Sequence, residues 1–214
     1  MDLSDAFSAL AGFSGKDLTV TLSRIEQSLV GKTADNCTSF LSEHKADHDV
    51  LGAVGLVKQL AGQINVVIHA LGIMLCLPHI LQPGEVVESS SLGAGNTGKS
   101  FDLETNLRVA EFKFIAWQGG PESIRQNSLF KDFYGLAEYD TSKSRYMYVL
   151  GTEIPTKFLR SKRSLKSVLS KDVSLYEIVR QKYPDCRVVS DYYSLKSDAV
   201  FIEDVSMMVP ELIR

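Results

Sequence analysis

Apolar residues recur at spacings of three and four through the first 80 positions, and this spacing predicts amphipathic helices. One stripe consists of Leu18, Leu22, Ile25 and Leu29, and a broader one of Val54, Val57, Leu60, Ile64, Val67 and Leu71. Pro78 and the Gln82-Pro83-Gly84 turn mark the end of this helical part.

After residue 84 the pattern changes to alternation of apolar and polar positions, which is typical of strands. The alternation predicts strands at 85–91, 101–105, 107–117 and 145–150, with two late strands at 186–189 and 199–202. Helices are predicted from Pro121 to Glu138, with Ile124, Leu129, Phe130, Phe133 and Leu136 facing inward, and at 157–169 and 175–181. The sequence therefore predicts a mixed α/β or α+β fold with a sheet flanked by helices and a helical N-terminal region.

The composition excludes several classes of protein. Of 214 residues 44% are hydrophobic and 23% are charged, which is ordinary for a globular chain and excludes disordered, collagen-like and coiled-coil proteins. Three scattered cysteines provide neither a disulfide framework nor a zinc site. The N-terminus is acidic where a signal peptide is basic, and the apolar stretch 64–80 is shorter than the roughly 20 residues of a membrane span. We expect a cytoplasmic protein without membrane association, and a buried helix over 64–80.

Charge is concentrated in the middle of the chain, although the formal net charge is only −3. Residues 106–172 contain 12 basic and 7 acidic side chains, a net of +5. A basic strip within this segment comprises Lys157, Arg160, Lys162, Arg163, Lys166 and Lys171. Such a strip on a mildly acidic protein suits contact with a polyanion, and an ordinary solvated helix face is the alternative explanation.

Residues 93–100 match the P-loop pattern G-x-x-x-x-G-K-[ST] at every fixed position. In a P-loop, backbone N–H groups wrap phosphates, a lysine reaches their oxygens and a hydroxyl holds Mg²⁺. The motif needs a strand directly before it and a helix that begins at its Lys-Ser, here Lys99-Ser100. The β-branched and aromatic residues of 107–117 instead favour a strand soon afterwards. A flexible glycine-rich hairpin loop is therefore the preferred interpretation, with a nucleotide-binding protein as a minor alternative.

Asp102 and the segment Glu111-Phe112-Lys113 form a second candidate site. Because side chains in a strand repeat every two residues, Glu111 and Lys113 point from one face while Phe112 points from the other. An E-x-K triplet alone carries little weight, but two opposite charges within an apolar strand need an explanation. Either they form a structural ion pair, or they belong to a metal site.

The order helix, strand, strand with Asp102, strand with Glu111-x-Lys113, helix, strand resembles the PD-(D/E)xK nuclease superfamily. The likeness covers about residues 50–152, and Phe101 stands where the family name has proline. It implies a restriction-endonuclease-like mixed sheet within a domain at 50–214, with residues 1–49 as a helical N-terminal region packed on it. It further implies that Asp102, Glu111 and the Phe112 carbonyl hold Mg²⁺ or Mn²⁺, and that Lys113 assists the attacking water.

The predicted helix after the hairpin offers further candidates. Arg125, Gln126 and Lys131 are expected to contact phosphates, with an ordinary amphipathic helix as the alternative. Gln126 and Phe130 have the spacing of a glutamine–aromatic pair in some branches of the superfamily, although phenylalanine lacks the tyrosine hydroxyl. Many members also supply a glutamate from the first core helix, but residues 50–80 contain neither Asp nor Glu. Glu85 or Glu88 on the first strand is a candidate substitute ligand and Asp49 a weaker one, or the site binds only one metal ion.

The resemblance, together with these residues, implies a Mg²⁺-dependent DNA endonuclease, a hydrolase that serves in restriction, phage defence or repair. DNA is the expected partner, and its backbone is expected to contact the basic side chains of Lys157, Arg160, Lys162, Arg163 and Lys166. A homodimer, or a complex with a defence or repair protein, would suit cleavage of both strands. A catalytically inactive DNA-binding or complex subunit with the same fold is the main alternative, and the P-loop protein is the lesser one.

Overall fold

The structure is a computed structural model that describes residues 1–93, 98–115, 117 and 122–213. The chain divides into two compact units, Met1–Asn65 and Val66–Arg214. The boundary between them lies within one long helix.

The first unit is helical. It contains α1 (Leu3–Ser14), α2 (Leu18–Leu29), α3 (Ala34–Glu43) and the first half of α4 (His48–Ile80). The Asp2 carboxylate accepts the Asp5 N–H at 2.8 Å, and Asp17 caps α2 through the Val20 N–H at 3.0 Å. Both caps satisfy backbone donors that a helix start otherwise leaves unpaired. The predicted helical character of the first 80 residues is confirmed.

Helix α4 is long and unevenly buried. Its 33 residues make it long and apolar enough to cross a membrane by length and composition alone, in contrast to the shorter stretch expected from the sequence. In the second unit, Ile73, Cys76 and Ile80 are buried, whereas Val67 and Leu71 are about half exposed. The predicted buried helix is thus buried on one face only, and it continues through Pro78.

The second unit is built on one five-stranded mixed sheet, so the mixed α+β class is confirmed. Its strands, in spatial as in sequence order, are β1 (Val87–Ser90), β2 (Leu103–Thr105), β3 (Arg108–Lys113), β4 (Ser144–Val149) and β5 (Phe201–Asp204). Strands β1, β2 and β3 form an antiparallel meander, and β4 and β5 continue the sheet in parallel with β3. Helix α5 (Ser123–Glu138) lies between β3 and β4 in the chain, as a parallel crossover requires.

Alternation along β3 separates two hydrophobic clusters. Ala110 and Phe112 pack with Ile73 of α4, and Val109 packs on α5 through residues such as Phe133. All five side chains are at most 1% exposed. The charged side chains of Glu111 and Lys113 follow Val109 on the α5 side of the sheet, as the period of two predicts.

A buried polar network fixes the turn end of the β2–β3 hairpin. Arg108 Nε and an Nη atom lie 2.6 and 2.7 Å from the two oxygens of Glu85, and Thr105 Oγ1 donates to Glu85 at 2.6 Å. The remaining Arg108 Nη donates to the Tyr148 hydroxyl at 2.7 Å. The Glu85 side chain is fully buried and that of Arg108 is 5% exposed. Bidentate pairing satisfies both ions, so their burial is tolerated and β2, β3 and β4 are linked.

The segment after β4 departs from the sequence prediction. It forms α6 (Glu153–Leu159), α7 (Leu165–Val168), α8 (Val173–Lys182) and α9 (Val189–Lys196), with 3₁₀ turns at Ser197–Ala199 and Pro210–Ile213. The single helix predicted at 157–169 is wrong, since a turn at 160–164 divides it into two short helices.

Two smaller predictions also fail. The strand predicted at 186–189 is reduced to one bridge between Val188 and Ser164, and helix α9 begins at once. Ile124, predicted to face inward, lies in the first turn of α5 on its solvent-facing side and is 69% exposed. In contrast, Leu129, Phe133 and the other predicted inward residues of this helix are buried.

Candidate metal and nucleic-acid site

Asp102 stands just before β2, and both of its carboxylate oxygens have partners. Oδ1 lies 3.0 Å from Nε2 of His69, and Oδ2 accepts the Phe112 N–H at 2.8 Å. The side chain is only 15% exposed. Burial opposes ionisation, but the hydrogen bonds from His69 and Phe112 outweigh it and lower the pKa of Asp102. A carboxylate is therefore held ionised at the end of the hairpin.

Glu111 adds a second carboxyl group next to Asp102. Leu103 pairs with Ala110, and continuing this register places Asp102 opposite Glu111. Burial, and after it the negative charge of Asp102, raise the pKa of Glu111 to about 9 against the opposing effect of Lys113. Two carboxyl groups at one site cannot both ionise cheaply without a cation between them. The pair is thus a region of excess negative potential.

Lys113 is held between two acids on the same side of the sheet. Its Nζ lies 2.7 Å from Oδ2 of Asp132 on α5 and 3.5 Å from Oε2 of Glu111. Burial disfavours its charge, but Asp132 and Glu111 more than compensate and raise the pKa of Lys113. Ser128, one turn earlier on α5, also donates to Oδ2 of Asp132 at 3.2 Å. The lysine is therefore a fixed cation at the edge of the carboxyl pair.

Neither His69 nor Asp132 was singled out by the sequence analysis. His69 is a lone imidazole in an apolar helix, and it shares the spacing 69, 73, 76, 80 with the residues that α4 buries against the sheet. This spacing, which places His69 on the buried face of α4, is the sequence feature that could have identified it. Asp132 follows Ser128 by four residues, which puts both on one face of α5. Only the packing of α5 on β3 shows that this face meets Lys113.

The Phe112 main chain completes the candidate donor set. Its N–H donates to Asp102 rather than to a neighbouring strand. The N–H and C=O of one residue in a strand point to the same side, so the Phe112 carbonyl also points toward the Asp102 edge of β3. The three ligands that the family resemblance implies, Asp102, Glu111 and this carbonyl, are therefore on the same side of β3.

Hard oxygen donors of this kind suit Mg²⁺, which is commonly bound by one or two carboxylates and keeps several waters. Within the described residues, no three His, Cys, Asp or Glu side chains form a group that could hold a metal. A metal here would therefore be held by the two carboxylates and the carbonyl, with its other positions left to water and substrate.

Glu88, one of the substitute ligands considered from the sequence, is placed elsewhere. Its carboxylate lies 2.6 Å from Nζ of Lys143, which also contacts Glu104 at 2.8 Å. The side chain is 49% exposed on the edge strand β1. Glu88 is therefore paired with the Lys143 ammonium, and it does not lie beside Asp102 and Glu111 in the structure.

The basic strip is exposed on and around α6 and α7. All six of its side chains, those of Lys157, Arg160, Lys162, Arg163, Lys166 and Lys171, are solvent-exposed. None of them forms an ion pair with another residue in the part of the chain that the structure describes. Free cations on a surface are available to a polyanion, whereas cations already paired are not.

The three phosphate-contact candidates on α5 differ in availability. Lys131 is 46% exposed but pairs with Asp172 at 2.7 Å, and Arg125 pairs with Glu122 at 2.6 Å. Gln126 is only 4% exposed, so its amide could reach a phosphate only after a rearrangement. Phe130, its proposed aromatic partner, is a core residue with no exposure.

The glycine-rich segment does not have the geometry of a P-loop where the structure describes it. Residues 94–97 lie outside the described residues, but 98–102 are irregular and Leu103 already belongs to strand β2. The helix that a P-loop requires after Lys99-Ser100 is replaced by this strand. The Lys99 ammonium donates to the backbone carbonyl of Ser90.

Comparison of the chain with protein-family models, curated proteins and solved structures finds no match.

Proposed function

We propose that the protein is a divalent-metal-dependent nuclease that hydrolyses phosphodiester bonds in DNA. The observation that carries this proposal is the convergence of Asp102, Glu111 and Lys113 at the end of one hairpin. Two carboxyl groups that repel each other, with an ammonium fixed beside them, fit a site made for a cation and a phosphate better than a structural ion pair. A purely structural pair would neutralise itself, as Arg108 and Glu85 do.

The order of elements supports the same proposal. Helix α4, the meander β1–β2–β3, helix α5 and the parallel strand β4 follow one another in the order that the resemblance to the PD-(D/E)xK superfamily implies. A restriction-endonuclease-like core is part of the proposal. It accounts for why Asp102, just before β2, lies beside Glu111 of the antiparallel strand β3, and why α5 packs over the face that bears Lys113.

Each residue then has a chemical role. Asp102, Glu111 and the Phe112 carbonyl would hold Mg²⁺ or Mn²⁺, which would supply charge neutralisation and a more acidic bound water. Lys113 orients the attacking water and stabilises the negative charge that develops on the phosphate. The His69 contact keeps the Asp102 carboxylate oriented, in the way that outer hydrogen-bond partners orient metal ligands.

The basic strip around α6 and α7 would bind the DNA backbone. Six exposed cations without ion pairs in the described chain give a local positive field on a protein with a net charge of −3. Binding through such contacts depends on salt more than on sequence. A cytoplasmic enzyme that acts in defence or repair, as a homodimer or with a partner protein, would be consistent with this arrangement.

A cleavage assay tests the proposal directly. Supercoiled and linear DNA would be incubated with the protein and Mg²⁺, Mn²⁺ or EDTA, with Lys113→Ala and Glu111→Gln in parallel. We expect metal-dependent nicking or cutting that Glu111→Gln abolishes and that Lys113→Ala slows strongly while leaving a measurable residual rate. Glu177→Gln, which removes an acidic group paired with Arg180 on α8, is a charge-matched control and should cleave normally. Cleavage by Glu111→Gln at the wild-type rate would exclude this site.

A second function is favoured by one specific observation. Both oxygens of Asp102 already have partners within the chain, and the described part of α4 supplies no carboxylate to the site. A nuclease fold that binds DNA without cleaving it would have these features. Calorimetry with Mg²⁺ and Mn²⁺ separates the two, because a binding-only protein would retain DNA affinity but show no heat of metal binding.

A further inference from the structure

We propose that Asp132 on α5 is a positioning residue that fixes the Lys113 ammonium beside Glu111. This inference rests on the proposed nuclease function and extends it to a residue outside the D…E-x-K pattern. Helix α5 thereby contributes to catalysis through one ion pair, the one between Asp132 and Lys113.

The geometry distinguishes Asp132 from the other acid that contacts Lys113. The Nζ–oxygen distance is 2.7 Å to Asp132 but 3.5 Å to Glu111, so the shorter contact is made by the helix and not by the strand. Charge-assisted hydrogen bonds near 2.7–2.9 Å are the strong ones. Asp132 therefore determines where the end of this flexible side chain lies.

Partial burial increases the importance of this contact. The side chains of Lys113, Asp132 and Glu111 are 29%, 24% and 13% exposed, so solvent screens their charges only in part. A lysine stem has four rotatable bonds and loses much entropy when it is ordered. Without Asp132, the ammonium could swing toward solvent or pair more closely with Glu111. Either movement would remove it from the position in which it assists a water.

Ser128 supports Asp132 in turn. Its hydroxyl donates at 3.2 Å to Oδ2, the oxygen that also contacts Lys113. Residues 128 and 132 are one helical turn apart, so α5 presents them as a rigid pair. The backbone of α5 at this point is anchored by the core residues Leu129 and Phe133, which are 4% and 0% exposed. The position of the ammonium is thus set by the packing of a helix on the sheet.

The kinetic test uses substitutions that preserve shape. Asp132→Asn keeps the size of the side chain but removes its charge, and we expect kcat for DNA cleavage to fall about 10- to 100-fold while KM changes little. Mg²⁺ affinity measured by calorimetry should remain within about twofold of wild type, because Asp132 is not among the proposed ligands. Asp132→Glu should restore part of kcat, and the control Glu177→Gln should match wild type.

A double-mutant cycle tells a positioning role from a general loss of structure. If Asp132 acts through Lys113, then Asp132→Asn should change kcat less than about twofold in a Lys113→Ala background. A full and independent loss in that background would overturn the proposal, as would wild-type kcat in Asp132→Asn itself.

A measurement independent of activity separates this proposal from the function on which it rests. The ¹⁵N signal of the Lys113 ammonium, observed by NMR in the full-length protein, should show slow proton exchange and restricted motion. Both features should be lost in Asp132→Asn and kept in Glu177→Gln. An unchanged signal in Asp132→Asn would overturn the positioning role. Absence of cleavage by wild type with any metal, alongside the expected NMR change, would instead overturn the nuclease function and with it the catalytic meaning of the ion pair.

Discussion

Nε2 of His69 lies 3.0 Å from Oδ1 of Asp102, so helix α4 contacts the carboxylate of the β-hairpin directly. The histidine lies 33 positions earlier in the chain, on helix α4, and its ring and that of Phe114 meet in a T-shaped arrangement at a centroid distance of 6.1 Å. The imidazole is thus held in an oriented position beside the site, and this relationship gives the first prediction.

His69→Ala is expected to weaken Mg²⁺ binding about 10- to 100-fold, the usual effect of removing a residue that orients a metal ligand. The hydrogen bond from His69 lowers the pKa of Asp102, so its loss makes the carboxylate less available. Calorimetric titration with Mg²⁺ measures the change. His79→Ala, an exposed histidine at the end of the same helix, should leave the affinity unaltered. Equal affinities for wild type and His69→Ala would show that the contact is incidental.

Glu111→Gln should stabilise the metal-free protein. In the folded state burial and Asp102 raise the pKa of Glu111 to about 9, whereas the ordinary value is 4.5. Between these two values the unfolded chain has released this proton and the folded chain has kept it, so stability falls as pH rises. Removing the group should add roughly 1–3 kcal/mol at pH 8, or about 3–10 °C in Tm, and little at pH 4.

Thermal melts in EDTA at pH 4 and pH 8 provide the measurement for Glu111→Gln. The control Glu177→Gln should melt with wild type at both values. A lower Tm for Glu111→Gln at pH 8 would mean that this carboxyl group stabilises the fold and that the site is a structural ion pair. Stabilisation on removal of a functional group is the behaviour expected of an active site.

Glu85→Gln should have the opposite effect on stability and destabilise the folded protein. Burial opposes its charge, but hydrogen bonds from Arg108 and Thr105 lower the pKa of Glu85 to about 2. This carboxylate therefore stabilises the fold above about pH 4.5, and its contribution is lost as pH falls from about 5 to 2. The substitution should cost about 3 kcal/mol at pH 7, since it leaves the Arg108 charge buried without its partner.

Urea unfolding at pH 7 and pH 3 measures this effect. The difference between wild type and Glu85→Gln should shrink by about half or more at pH 3, because there the Glu85 carboxyl group is protonated in the unfolded chain while it is still largely ionised in the folded one. A difference that is the same at both pH values would show that lost packing, rather than lost charge, causes the destabilisation.

Two glycines of α4 form a matched pair for a test of packing. A Cβ added at Gly72 would lie 2.7 Å from ring atoms of Phe114, whereas one added at Gly62 has no atom within 4 Å. Gly72→Ala should destabilise the protein by about 1–3 kcal/mol through overpacking. Gly62→Ala should be neutral or stabilising by up to about 1 kcal/mol, because alanine is the better helix former. Chemical denaturation measures the free energy of unfolding of both variants. Equal changes in the two variants would contradict the close approach of α4 to Phe114.

The elements with strong periodicity could be predicted from the sequence, because a single period controls which face they bury. Strand β3 is the best example: the alternation that sends Phe112 to the core and Glu111 with Lys113 to the other face is visible in the residue types. The segment from Lys157 to Leu169 has apolar residues at helical spacing too. Its division into α6 and α7 depends on a tertiary contact, since Arg163 and Ser161 accept backbone bonds from Val189 and Ser190.

The hairpin half of the candidate site could be proposed from sequence, but its helical half could not. Asp102, Glu111 and Lys113 lie within twelve residues, and local strand geometry brings them together. His69 and Asp132 come from two helices, and their approach depends on how α4 and α5 pack on opposite faces of the sheet. A single sequence does not specify that packing. From the sequence, His69 therefore resembles a core histidine and Asp132 an ordinary surface aspartate, although both contact residues of the proposed site.

The hairpin that joins Asp102 to Glu111 makes the site sensitive to chain length rather than to composition. Only Asn106 and Leu107 separate β2 from β3, and the Asn106 side chain and backbone both bond to Val86. A single inserted or deleted residue in this turn would shift the register by one and move Asp102 to the opposite face from Glu111. Substitutions in this turn should therefore be tolerated far better than insertions or deletions.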